Sequence, residues 1–474
     1  MKCHTLPLAT ACLGIIAATA MADDWPQWRG PTRQGFSAET GLPNAFPPGG
    51  LKLAWKKDCK SPAYEGNGCF RNGSPVSVSG LVYLSGLTGT VYGQERLYCF
   101  GLKDGKPLWE YALVDEGGSG NCTPAIDKAA GRLYVTSTGS PYKVSAPYAV
   151  ACLDLKAGTK IWSLDEGKLR LTPGMADSGS PLLWGSLVIT PHHDKLLALN
   201  KDTGAVVWSW PDKLAKREEP PAIVDGSAET TKVFREWYQK LDKKAIAYVT
   251  GSSSPVLVEV DKRPVIVFQV YRVADTSYCS SMAAVDARTG KPLWLGPWIG
   301  SHHTPVFSDG LLVTSIGEGE AAAGQYAQEY FMVAYAPRWT KDSFEFKEVW
   351  RIKENVGNRY RLPSPVIVNK TVYWRDYARL WAVDLATGKV RWEQDLFVDP
   401  KELWPISSPI WVDGKLFHVS EEGTLRIIKD AGDKPQVLLT QKKVCGETNA
   451  TPIVVDGKLL LRDQEALYCY PLKP

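Results

Sequence analysis

Two or three positions ahead of each of eight Ser/Thr-Pro pairs the chain places polar or charged side chains. They are Arg71, Asn72, Asn121, Asp177, Ser178, Ser252, Ser301, His302, Arg361, Thr448 and Asn449, interrupted by Leu362 and Ile406. Arginine, asparagine, aspartate and histidine gathered at one opening can hold a small polar ligand or a partner's surface. Arg71, Asn72, Asn121, Asp177, His302, Arg361 and Asn449 are therefore the binding candidates; the bland alternative is that they only solvate a wide mouth. His302-His303 and His192-His193 have the residue type of metal ligands. Neighbours on a strand point to opposite faces, so neither pair makes a chelate, and no metal site is assigned. H-E-x-x-H, G-x-S-x-G, the phosphate-binding loop and the dinucleotide glycine pattern are all missing. No catalytic residue is assigned.

What must position these residues is a repeat. Each Ser/Thr-Pro pair (Ser74, Thr123, Ser180, Ser254, Thr304, Ser364, Ser408 and Thr451) opens an alternating apolar run, a short turn and a second run. A third run, a glycine turn and a fourth run carrying tryptophan complete five of the units. "AAVDARTGKPLW" ends at Trp294, and near-copies end at Trp109, Trp162, Trp208 and Trp392. The proline loses no ladder donor at a strand's first position, and the Asp-x-x-Thr-Gly stretch is turn chemistry. Four short strands per unit, repeated eight times, predict an all-β, eight-bladed propeller of four-stranded antiparallel blades. Successive prolines of these pairs lie 49, 57, 74, 50, 60, 44 and 43 residues apart. The longest gap predicts an insertion over 211–250 between blades 3 and 4, with a surface helix near Thr231–Lys243. The eighth unit stops after its third strand, while "LKLAWKKD" with Trp55 stands alone near the start. That segment is expected to complete the last blade and close the ring, since an open ring would expose a sheet edge.

Residues 1–22 read as a signal peptide with cleavage near Ala22, leaving 23–474 as one propeller domain, periplasmic or secreted. Fifty-five basic against 51 acidic residues imply no nucleic-acid partner, no apolar run is long enough for a membrane span, and a monomer is expected. Of the 10 cysteines, Cys99, Cys152 and Cys469 occupy a column that elsewhere holds Ala198, Ala284 and Ala382, so they read as small buried residues. Cys59 and Cys69 flank one loop and are the single plausible local disulfide. Trp25 and Trp28 are expected on the outside of the ring.

The A-x-D-x-x-T-G-x-x-x-W phrase resembles the pyrroloquinoline-quinone (PQQ) repeat of eight-bladed propellers in the quinoprotein-like, WD40-like superfamily. The opening "DDWPQWRGPTRQGFSAETGLP" is similar to exported bacterial members of that kind. The resemblance implies that Trp109, Trp162, Trp208, Trp294 and Trp392 wedge between blades, with Cys99, Cys152, Ala198, Ala284 and Ala382 as their seats; Trp55 is assigned the same docking role. It also implies two functional classes: quinoprotein dehydrogenases holding PQQ and calcium on the axis, and non-catalytic scaffolds of the BamB type. Alcohol dehydrogenases of the first class carry adjacent cysteines, and no two are adjacent here. The expectation is a non-enzymatic scaffold without cofactor, binding a protein partner or extracellular polymer through its loop-rich face. The alternatives are a PQQ- and calcium-dependent oxidoreductase and a small-ligand sensor at the channel mouth.

Overall fold

Alternating runs of three to eleven residues pair into eight antiparallel sheets, one per repeat unit. The computed structural model describes residues 24–59, 73–88, 94–114, 122–137, 149–165, 179–192, 195–211, 248–250, 253–272, 280–299, 303–318, 329–341, 343–354, 363–399, 402 and 407–473. Blade 1 spans residues 76–114, blade 2 125–165, blade 3 182–210, blade 4 256–299, blade 5 306–353, blade 6 366–395 and blade 7 410–441. Blade 8 takes three strands from 453–471 and its fourth, Trp55–Asp58, from the other end of the chain. Trp55 lies opposite Cys469 and Asp58 opposite Ala466. The ring is an eight-bladed propeller closed by its N-terminal strand, as the repeat count predicts. Of the insertion after blade 3, the structure describes Pro211 and the strand Tyr248–Thr250, which pairs with the far end of blade 4's second strand; the expected helix lies outside the described residues.

The Ser/Thr-Pro pair has a second purpose beside the proline's. In seven of the eight pairs the Ser or Thr hydroxyl accepts the amide of the equivalent residue one blade earlier. Ser74 N–H donates to Thr123, Thr123 to Ser180, Ser180 to Ser254, Ser254 to Thr304, Thr304 to Ser364 and Ser364 to Ser408. Thr451 N–H returns to Ser74 across the closure, at 3.0 Å. Inner strands of neighbouring blades belong to separate sheets, and this buried belt satisfies the first amides of seven of them. Ser254→Ala would orphan the buried Ser180 amide and should cost about 1–3 kcal/mol in urea unfolding. Ser254→Thr, which keeps the acceptor, should recover most of that loss.

Between blades the tryptophans pack on glycine. A Cβ at Gly105, Gly158, Gly204, Gly290 or Gly388 would come within 2.7 Å of the rings of Trp55, Trp109, Trp162, Trp208 and Trp350 respectively. Each of these glycines has φ between +65° and +74°, and each belongs to the blade that follows the tryptophan. The indole nitrogens of Trp55, Trp162, Trp208 and Trp350 donate to a backbone carbonyl of that next blade. The small-residue column is therefore not the neighbour's seat. Cys99, Cys152, Ala198, Ala284 and Ala382 face Trp109, Trp162, Trp208, Trp294 and Trp392 across the same hairpin, where a larger side chain would displace the ring. Trp294 meets blade 5, which has no glycine turn, and packs on Phe346 instead, 4.6 Å between centroids. Trp392 donates to Asp430 Oδ1 at 2.9 Å.

In blades 1 to 7 the outer strand carries a β-bulge beside its wedge position. A bulge twists the exposed edge away from flat pairing, the protection that an outer propeller strand needs.

Candidate functional site

The axis of the ring is where the repeat brings polar groups together, and its two ends differ. Inner strands run from the Ser/Thr-Pro end, which bears the long connections, to the end formed by tight turns. At the tight-turn end the opening segment crosses the axis. Trp25 and Ser77 of blade 1 exchange backbone hydrogen bonds, at 2.7 and 2.9 Å, and Pro26 O accepts Ile126 N–H of blade 2. Arg29 then donates to Ser364 O and Pro365 O of blade 6. Four residues on, Arg33 donates to Ser180 O and Pro181 O of blade 3. Gln34 reaches Phe307 O of blade 5, Phe36–Ser37 runs parallel to Trp411–Val412 of blade 7, and Glu39 accepts Gly457 N–H of blade 8. Seven of the eight blades are touched by this strap. Trp25, 1% exposed, thus lies against the inner strands and not outside the ring. The unpaired carbonyls of the inner edges need donors, and an arginine- and glutamine-bearing segment supplies them; that is the physical reason for the correction.

Arg29 and Arg33 are buried, and neither forms an ion pair among the described residues. Burial alone pushes both guanidiniums down, to about 9. Both lie 5.5 Å from the Trp28 ring centroid, a cation–π contact that offsets part of the desolvation.

At the other end Asn449 is the one binding candidate that the structure describes. Both amide atoms of its side chain are shielded from solvent, and neither has a hydrogen-bond partner among the described residues. The adjacent Thr448 hydroxyl is committed to Arg462 O. Arg71, Asn72, Asn121, Asp177, His302 and Arg361 lie outside the described residues, as does His193. His303 is buried with Nε2 accepting Ser315 N–H at 2.8 Å, beside Thr314 Oγ1 at 2.7 Å; it holds its own blade together. His192 is buried at the end of its strand.

Two clusters that motif reading did not single out also stand at this end. Arg375 stacks on Phe397, 3.7 Å from guanidinium to centroid, and donates to His418 Nε2 at 3.1 Å and to Glu402 O. Arg426 ion-pairs Glu402 at 2.6 Å. Burial, then the Arg375 and Arg426 charges, hold His418 well below its ordinary pKa, so it is neutral and accepts. The second cluster joins blade 8 to blade 1. Arg462, 1% exposed, donates to Gly73 O. Asp463 takes the amides of Gly446, Glu465 and Ala466 and the Tyr468 hydroxyl. Cys59, expected in a disulfide, is here a buried free thiol. Burial raises it to about 12, and Cys69 lies outside the described residues. Only the alternation of charge with apolar strand residues, as in "LLLRD", could have flagged these arginines.

A family model described as outer membrane protein assembly factor BamB matches residues 44–232 and 346–473, more than half of the chain. The chain belongs to that PQQ-repeat family. The match omits blade 5's first strands and all of blade 4, including Trp294. Quinoprotein alcohol dehydrogenase PedH of Pseudomonas putida is 26% identical over 53% of this chain and 35% of its own length. BamB of Yersinia pestis is 26% identical over 40% of this chain and 49% of its own. The chain thus spans less than half the length of these curated relatives. Among solved structures, quinohemoprotein alcohol dehydrogenase ADHIIG from Pseudomonas putida HK5 superposes with a TM-score of 0.58 at 14% identity, covering 95% of this chain and 80% of that one. At that identity the likeness is one of fold.

PQQ and its calcium belong to part of this fold family, so the axial residues can be tested against them. Calcium needs several oxygen ligands. Buried carboxylates described at the loop-bearing end take donors from within the propeller, although Glu95 Oε1 and Glu402 Oε1 accept no hydrogen bond among the described residues. Ser137 donates to Glu95 and Ser315 to Glu354; Trp381 donates to Asp376; Arg426 holds Glu402, and Asp463 already has four donors. Among the described residues no three His, Cys, Asp or Glu side chains gather as a metal site.

Proposed function

We propose that this protein is a non-catalytic scaffold, exported to the periplasm or secreted, that binds a protein partner or an extracellular polymer through its loop-bearing end. The observation that carries the reading is the geometry of the ring: every inner strand starts at the end where the long connections emerge, so these are displayed on a rigid scaffold, the usual location of binding. The family match to an assembly factor and the lack of adjacent cysteines support the same reading. Asn449 is its best-defined contact residue, because a shielded amide without partners gains a hydrogen bond when a ligand supplies one.

A PQQ-dependent oxidoreductase is the second reading, favoured by the PedH match across half of the chain. Titration with PQQ and calcium separates the two. The scaffold reading expects no stoichiometric absorbance change and an unmoved Tm. A ligand at 100 times its Kd would stabilise the native state by about 2.7 kcal/mol, so a saturable rise in Tm with a spectral shift would establish the second reading. Photo-crosslinkers placed at Asn449 and, as a control, at the exposed Thr32 of the strap should give adducts in the cell envelope only from the former.

A further inference from the structure

We propose that the strap, residues 24–42, opens and closes as a unit while the ring stays shut, acting as a stopper at the tight-turn end of the axis. The inference is independent of what binds at the other end. Its basis is an imbalance in how the two parts of the N-terminal arm are held. The closing strand Trp55–Asp58 is paired residue for residue with blade 8, and Trp55, Leu51 and Cys59 belong to the largest apolar cluster. In the strap only Trp25 and Leu42 belong to that cluster, and half-buried Phe36 packs against a smaller one. The remainder is held by hydrogen bonds along inner edges and by two guanidiniums buried against carbonyls.

Hydrogen bonds exchanged for bonds to water contribute little net stability, and a buried cation without a carboxylate regains hydration when it leaves. The strap therefore has little to lose by opening, whereas the closing strand would lose a wedge, a ladder and a core. A segment with few apolar contacts whose release rehydrates charge is the kind that opens below the global unfolding free energy. Release would bare Ser77, Ile126 and Trp411 amides, now bonded to Trp25, Pro26 and Gly35, together with the carbonyls of Ser180, Pro181, Ser364 and Pro365. The inner edges of blades 1, 2, 3, 6 and 7 would then face water at the tight-turn end.

Hydrogen exchange of the full chain, resolved by mass spectrometry with fragmentation, tests this without any substitution. The strap amides and those of Ser77, Ile126 and Trp411 should exchange together, at least about 100-fold faster than Lys57 and Cys59 of the closing strand, whose amides face blade 8. Trp25→Ala should speed the strap group by at least about tenfold more and leave residues 55–58 unchanged. Equal protection of strap and closing strand in the unsubstituted protein would overturn the proposal, as would a Trp25→Ala variant in which both accelerate alike.

Discussion

Gly158→Ala is expected to lower the unfolding free energy by about 3 kcal/mol, from two separable causes. The first is conformational. Gly158 has φ +68°, and a Cβ in the left-handed region costs about 1–2 kcal/mol. The second is steric. That Cβ would lie 2.4 Å from Cδ2 of Trp109, a ring pinned by Tyr83 at 5.8 Å and by Cys99 beneath it. Overpacking of a closed site costs about 1–3 kcal/mol. Gly414→Ala provides the control: φ is +76° there, but a Cβ would meet nothing within 4 Å. It should show only the first cost, about 1–2 kcal/mol. Urea unfolding of the two variants measures the difference directly. Equal losses would mean that the tryptophan–glycine contact between blades 1 and 2 contributes nothing to stability.

Trp55→Ala should be as damaging by a different route. The ring lies on Gly105, with Cε3 2.7 Å from where a Cβ would be, and its indole nitrogen donates to Leu102 O at 3.3 Å. Removing a buried tryptophan costs about 3–5 kcal/mol, and Trp162→Ala, inside the ring, should cost a similar amount. The two differ in what is left behind. Trp162 belongs to a blade whose four strands follow one another in the chain. Trp55 sits on a strand that joins blade 8 from the other end of the sequence, so its loss weakens the seam itself. In Trp55→Ala, amides of residues 55–58 and 466–469 should exchange far faster than in Trp162→Ala at matched stability. Indistinguishable exchange would show that closure rests on the backbone ladder and not on the wedge.

Much of this architecture is written locally. Alternation of period two, the Ser/Thr-Pro openings and the Asp-x-x-Thr-Gly turns each lie within one hairpin. Asp286 Oδ1, for instance, accepts the Arg288 and Thr289 amides of its own turn. Such signals survive in a linear reading because the atoms that meet are neighbours in the chain. Counting them was enough for eight blades, and the missing fourth strand of the last unit was enough to bring Trp55 to it.

The candidate site was less legible. Its seven binding residues were chosen by position in the repeat; Asn449 alone is described, and its unpartnered amide is a fact of packing that position could not reveal. The arginines that organise this end, Arg375, Arg426 and Arg462, have no motif, because their partners Glu402, His418 and Gly73 arrive from other strands or other blades.

By itself, then, the sequence determined the fold class, the number of blades and the strand that closes them, all consequences of chemistry repeated at short range. Only the tertiary structure decided what receives each tryptophan on the next blade, that the Ser and Thr hydroxyls form a belt, and that the opening segment lies over one end of the axis. Thr451 meets Ser74 across 377 residues and Arg29 meets Ser364 across 335. Contacts of that span depend on how the ring brings distant inner strands to one axis, and no local pattern encodes which carbonyl will be left without a donor until the ring has closed.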